Sequence, residues 1–98
     1  MRNLIVEFYG RKDCAQCRDV SLVIGKVKRD IPFQLKEIDI TANEDLLRRF
    51  KEDIPMVFIN GKKAFKFRID ETEFRRCVRK EFIRTGMLRL WTKKEHFG

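Results

Sequence analysis

A chain of 98 residues is long enough for one domain and too short for two, and 43% hydrophobic residues with nine Phe can fill one modest core. Charged residues make up 39%, against roughly 25% in an average soluble protein, and sum to +8. Three cysteines, an odd number, argue against a secreted disulfide framework, and no apolar run nears the roughly 18 residues of a membrane span. Leu4-Ile5-Val6 is far too short for a signal-peptide core, so a cytoplasmic location is expected. The positive charge favours encounter with acidic partners without choosing among them; most of it reads as a solvated surface.

Leu4 to Tyr9 is a short apolar run closed by Gly10, the pattern of a buried strand. From Asp13 the period becomes helical: Cys17, Val20, Val23, Ile24 and Val27 share one face, with Asp13 as the expected N-cap. That helix must end before Pro32. Phe33 to Ile40 reads as a second strand, with Ile38 and Ile40 pointing inward. Thr41 and Glu44 have capping-box spacing ahead of a short helix carrying Leu46, Leu47 and Phe50. Met56 to Ile59 is a third strand, and Asn60-Gly61 is a strong hairpin signal. Phe65, Phe67 and Ile69 then alternate along an expected fourth strand. Asp70 and Glu73 cap a last helix whose apolar face is Phe74, Cys77, Val78 and Phe82, ended by Gly86. The order is βαβαββα: an α/β domain over residues 1–86, with a four-stranded mixed sheet whose first two strands are parallel and whose last two form a hairpin. Residues 87–98 form a basic tail to which no structure is assigned.

Cys14-Ala15-Gln16-Cys17 is a C-x-x-C, which alone serves either redox chemistry or half a zinc site. Zinc needs four ligands, and the other candidates are Cys77 on a helix face and His96 in the tail, so no metal is expected. The pair sits at a strand–loop–helix junction, where unpaired N–H groups and the helix dipole favour an anion. A thiolate is such an anion. Arg11, Lys12 and Arg18 add positive charge and Asp13 opposes it. Cys14, in the first turn and more exposed, is the expected nucleophile. Cys17, one turn further and facing the core, is the expected resolving thiol.

The stretch Val6-Glu7-Phe8-Tyr9, four residues, then Cys14-x-x-Cys17 resembles the active-site entry of the glutaredoxins, within the thioredoxin superfamily. Ile54-Pro55-Met56-Val57-Phe58-Ile59-Asn60-Gly61 is similar to the second glutaredoxin signature, V-P-x-V-F-I-N-G. The resemblance covers roughly residues 3 to 83. It implies a thioredoxin-like fold, a cis Pro55 opposite the cysteines, and an Ile54 backbone that offers itself to a substrate strand. It also implies thiol–disulfide exchange and a substrate-binding role for Arg11, which stands where glutaredoxins often put a lysine against the glutathione carboxylate. Expected partners are a protein or small-molecule disulfide, with glutathione as a co-substrate or a thioredoxin-reductase-type electron donor. No resident cofactor, nucleic acid or membrane is expected.

Three departures limit the resemblance. Ala15-Gln16 replaces the Pro-Tyr of glutaredoxins. The Gly-Gly of glutathione-binding members is absent: the chain runs Lys62-Lys63-Ala64-Phe65-Lys66-Phe67-Arg68-Ile69 into Asp70-Glu71, and acidic Asp53 stands where a Thr is usual. The F-x-F-R-I-D-E stretch resembles a small glutaredoxin-like family lacking that Gly-Gly. Two other functions stay open: a binding or adaptor module without turnover, and an iron–sulfur cluster carrier. Glu7 is a candidate internal base for Cys17, but its strand phase, opposite to Val6 and Phe8, favours a solvated or ion-paired side chain. Cys77 reads as a core thiol and His96 as solvated. Arg75, Arg76, Arg79, Lys80 and Arg84 form a basic patch without a nucleic-acid motif.

Overall fold

The computed structural model describes residues 4–86. Its elements are β1 (Ile5–Gly10), α1 (Ala15–Asp30), β2 (Gln34–Asp39), a 3-10 turn (Ile40–Ala42), α2 (Glu44–Phe50), β3 (Met56–Ile59), β4 (Lys62–Lys66) and α3 (Glu71–Arg84). The βαβαββα order is the expected one. The tail expected at 87–98, with His96, lies outside the described residues.

The sheet runs β2-β1-β3-β4, with β1 parallel to β2 and antiparallel to β3, and β3 antiparallel to β4. Because strand side chains alternate, Val6 and Phe8 share one face with their partners Ile59 and Val57. Onto that face pack Cys17, Val20, Ile24 and Val27 of α1 and Phe74, Val78 and Phe82 of α3. Phe74 is fully buried and meets the edges of Phe33 and Phe65, at 6.2 and 5.9 Å. Burying one such side chain contributes about 1.5–3 kcal/mol. On the other face Tyr9 lies tilted against Phe50 and Phe58, each 5.4 Å away. Here α2 covers the sheet without fully burying any residue of its own.

Four local expectations change. The N-cap of α1 is Cys14, not Asp13, because the Asp13 carboxylate turns outward to the Arg11 guanidinium (2.7 and 3.2 Å). Strand β2 is shorter than Phe33–Ile40. Ile40 is buried from the 3-10 turn that follows, and Ile38, paired with Tyr9, lies on the α2 face rather than on the α1/α3 core face. Thr41 does not cap α2: its N–H and hydroxyl both donate to Asp39, and Asn43 caps instead, accepting from Asp45 and Leu46. Strand β4 ends at Lys66. Ala64 has no partner in the ladder, a bulge that breaks the alternation, and Phe67 leaves the sheet with φ of 71°.

Other signals hold. Asn60 and Gly61 take positive φ (49° and 83°), as a tight hairpin turn requires. Asp70 accepts from the Glu73 N–H at 3.1 Å and caps α3, and Gly86, at φ 83°, follows its last turn. Cys77 is half-buried against the core. No helix among the described residues is long and apolar enough to cross a membrane.

Candidate active site

The loop 11–13 carries the chain from the end of β1 to the start of α1, and Cys14 is the first residue of the new direction. Its backbone is extended (φ −133°, ψ 110°), and its carbonyl accepts the first helical bond, from Arg18 N–H at 3.1 Å. Its Sγ accepts the Cys17 N–H at 3.1 Å. The thiol thus fills the capping role that a Ser or Asp oxygen usually takes, at the helix end where free N–H groups and the dipole favour negative charge.

Cys17 lies one turn in, is only 3% exposed and belongs to the same buried cluster as Val6, Phe8 and Val20. Burial pushes its thiol up from an ordinary 9.0 to about 11, the hydrogen bond with the Cys14 sulfur adding to the rise and the Arg11 backbone opposing it. Both cysteines are free thiols. Gly10 makes the packing possible: a Cβ there would sit 3.1 Å from Cys17 Sγ and 3.2 Å from Phe8 Cζ.

The Ile54-Pro55 bond is cis, Pro55 is buried and Ile54 half-buried against the core. Tyr9 pairs with Met56, so one further step along the antiparallel register brings Gly10 and Pro55 to the same end of the sheet. On the other side of Pro55 stands the end of β4. Phe67 N–H donates to Pro55 O at 2.6 Å, and Lys66 reaches Asp53 at 2.9 Å. The acidic residue next to the signature is therefore ion-paired.

On the β2 side of the pair opens a cavity of about 390 Å³. Gly10 and Cys17 line it together with Arg11, Lys12, Arg18, Glu37 and Asp39. Cys14, Ile54 and Pro55 do not, so the cavity approaches Cys17 from the opposite side. Arg11 is held by Asp13, whose carboxyl this pairing keeps below its usual range. Asp39 is likewise lowered, by the Thr41 hydroxyl and N–H that it accepts. Glu7 pairs with Phe58 on the Tyr9 face, so the sheet separates it from Cys17. Among the described residues no group of three or more His, Cys, Asp or Glu side chains is placed to hold a metal.

Of the site residues expected from sequence, Cys14, Cys17 and Arg11 gather at one end of α1, and Ile54 and Pro55 reach the same sheet end on its β3 side. Sequence reasoning passed over Gly10 as more than a strand terminator, although its phase matches Val6 and Phe8. It also missed Lys66 and Phe67, which only the bulge at Ala64 brings round to Pro55.

Residues 5–79 match the family described as Glutaredoxin-like domain (DUF836). A glutaredoxin-like protein of Dictyostelium discoideum is 34% identical over 76 residues, which cover 71% of this chain and 70% of that protein. Among solved structures, a protein of Nitrosomonas europaea superposes with a TM-score of 0.61 at 22% identity, over 76% of this chain and 89% of its own. The thioredoxin of Fasciola hepatica does so with 0.59 at 21%, over 82% of each chain. At that identity the structural likenesses concern the fold alone.

Proposed function

This chain belongs to the glutaredoxin-like domain family, and on that premise we propose that it is a dithiol thiol–disulfide oxidoreductase. Cys14, as thiolate, attacks one sulfur of a substrate disulfide. A Cys14–substrate mixed disulfide forms and the other substrate sulfur leaves as a thiolate. Cys17 then loses its proton and attacks Cys14 Sγ, which expels the second substrate thiolate and leaves a Cys14–Cys17 bond. Two electrons have passed from the protein to the substrate, and an external dithiol or glutathione restores the reduced pair.

The observation that carries this reading is the Cys14 sulfur at the helix cap, 3.1 Å from the Cys17 N–H, with the Cys17 thiol buried behind it. The two thiols thereby differ in the way the two steps need. One is partly exposed at the helix cap, and the other is held neutral by burial until the mixed disulfide has formed. Ile54 and Pro55 enter as the substrate-contacting edge. Arg11 pairs with Asp13 through Nε and Nη2 and enters as a further substrate contact.

Alkylation with mass measurement tests the pair. Oxidised protein treated with reductant is expected to gain two reactive thiols, at Cys14 and Cys17, and a Cys17→Ser variant to trap substrate through Cys14. No gain of thiols, or trapping through Cys77, would sink the assignment. Absence of turnover with any disulfide would favour the adaptor function instead.

A further inference from the structure

Phe67 is the described non-glycine residue least at home in its backbone. An aromatic side chain at φ 71° gives up roughly 1–2 kcal/mol relative to ordinary conformations, yet the residue stays 43% exposed. Strain of this kind persists where surrounding contacts enforce it, and here they do. The Phe67 N–H is held by Pro55 O at 2.6 Å, and the Arg68 N–H by Lys66 O at 2.8 Å. The Lys66 ammonium lies 5.0 Å from the ring centroid while it pairs with Asp53 at 2.9 Å. A partly exposed apolar residue is thus fixed beside Ile54-Pro55.

Two of the cations beside the site are already paired with carboxylates. Arg11 is occupied by Asp13 and Lys66 by Asp53. Lys12 and Arg18 line the cavity that also holds Glu37 and Asp39.

From this geometry we infer that Phe67 is a specificity-determining residue that selects protein disulfides with an apolar side chain near the reacting cysteine, over anionic glutathione disulfides. The inference rests on the dithiol function proposed for Cys14 and Cys17, and names its substrate class. The position follows from the sheet. Pro55 has Gly10 and the loop to Cys14 on its β1 side and Phe67 on its β4 side, two strand spacings apart, or about 10 Å. An extended substrate segment lying along Ile54 crosses that span in about three residues. The side chain that meets the ring is therefore two or three residues from the cysteine under attack.

The test uses the full chain and four disulfides. These are bis(2-hydroxyethyl) disulfide, oxidised glutathione, and two peptide disulfides identical except for Leu or Ser three residues from the cysteine. Wild-type protein is expected to favour the Leu peptide over the Ser peptide by about 10-fold in kcat/KM, the size of effect one apolar contact gives, and to turn over oxidised glutathione more slowly than either. Phe67→Gly and Phe67→Asn, both of which tolerate positive φ, should bring the Leu/Ser ratio near one, chiefly through KM, without lowering the melting temperature. A ratio near one in wild type, a ratio kept in both variants, or a preference for oxidised glutathione would overturn the inference. If wild type reduces none of the four, the dithiol function itself falls and the inference with it. Turnover of the small disulfide together with a Leu/Ser ratio that does not depend on Phe67 removes the inference alone.

Discussion

The two ends of the sheet are built by different rules. At the hairpin end, the chain reverses through Asn60 and Gly61, residue types that accept positive φ at little cost, and the polar groups close on one another. Asn60 N–H donates to Ile5 O and Asn60 Oδ1 accepts the Ile5 N–H, both at 2.8 Å, while the side-chain amide reaches Glu81 at 3.4 Å. At the cysteine end a thiol caps a helix, a glycine stands aside for a buried sulfur, and a phenylalanine occupies a backbone region suited to glycine. The first end is what stability alone would select. The second gives up local comfort, and its departures cluster around two thiols and a cis proline, the arrangement expected where a site has to do chemistry.

Substitutions can break this contrast. The largest effect expected is on activity at the cysteine end. Cys14→Ser should lower disulfide turnover by about 1,000-fold or more, since it removes the sulfur proposed to attack, with the circular dichroism spectrum unchanged. Turnover that survives would move the chemistry elsewhere. Next is Gly10→Ala, whose methyl meets Cys17 Sγ and Phe8 Cζ at 3.1 and 3.2 Å. Overpacking of this kind costs about 1–3 kcal/mol, readable by urea unfolding of the reduced protein. An equally stable variant would mean that Cys17 shifts into the neighbouring cavity.

A third prediction concerns pH. The Cys17 thiol titrates at about 11 in the fold against an ordinary 9.0. Between these values the unfolded chain has released the proton and the folded one keeps it, so stability falls as pH rises from 9 to 11, by at most about 1.4 kcal/mol per pH unit. Below pH 9 the contribution is intact. Subtracting the same curve for Cys17→Ala isolates it from lysine and tyrosine titration, and identical slopes would deny Cys17 its buried environment. The smallest effect belongs to the hairpin end. A Cβ on Gly61 meets nothing within 4 Å, so Gly61→Ala pays only for φ of 83°, about 1 kcal/mol, and should leave turnover as it was.

The same division explains how much could be read from the residues alone. The hairpin, the last helix with its Asp70 cap and Gly86 stop, and the apolar periods of β1 and α1 follow from short-range rules, and these held. The cysteine pair was also legible, because C-x-x-C at a strand–helix junction is itself a local pattern. What escaped were competitions between neighbours. Asp13 satisfied the rule for an N-cap but lost to Arg11, and Thr41 satisfied the rule for a capping box but turned back to Asp39. Phe67 satisfied strand alternation, yet a bulge at Ala64 shifted the register under it. In each case two local rules applied to one residue, and only the assembled surroundings decided between them.

The capping thiol carries one more consequence. As long as the Cys14 sulfur is free, the first turn of α1 has an acceptor for the Cys17 N–H, and that acceptor is the atom proposed to enter into bonding with substrate. Each turnover would therefore draw charge away from a hydrogen bond at the start of a 16-residue helix. The Cys17 amide proton becomes an internal gauge of the sulfur’s state. Its chemical shift and exchange rate should differ between reduced, mixed-disulfide and oxidised protein, reporting the chemistry from the backbone without any added label.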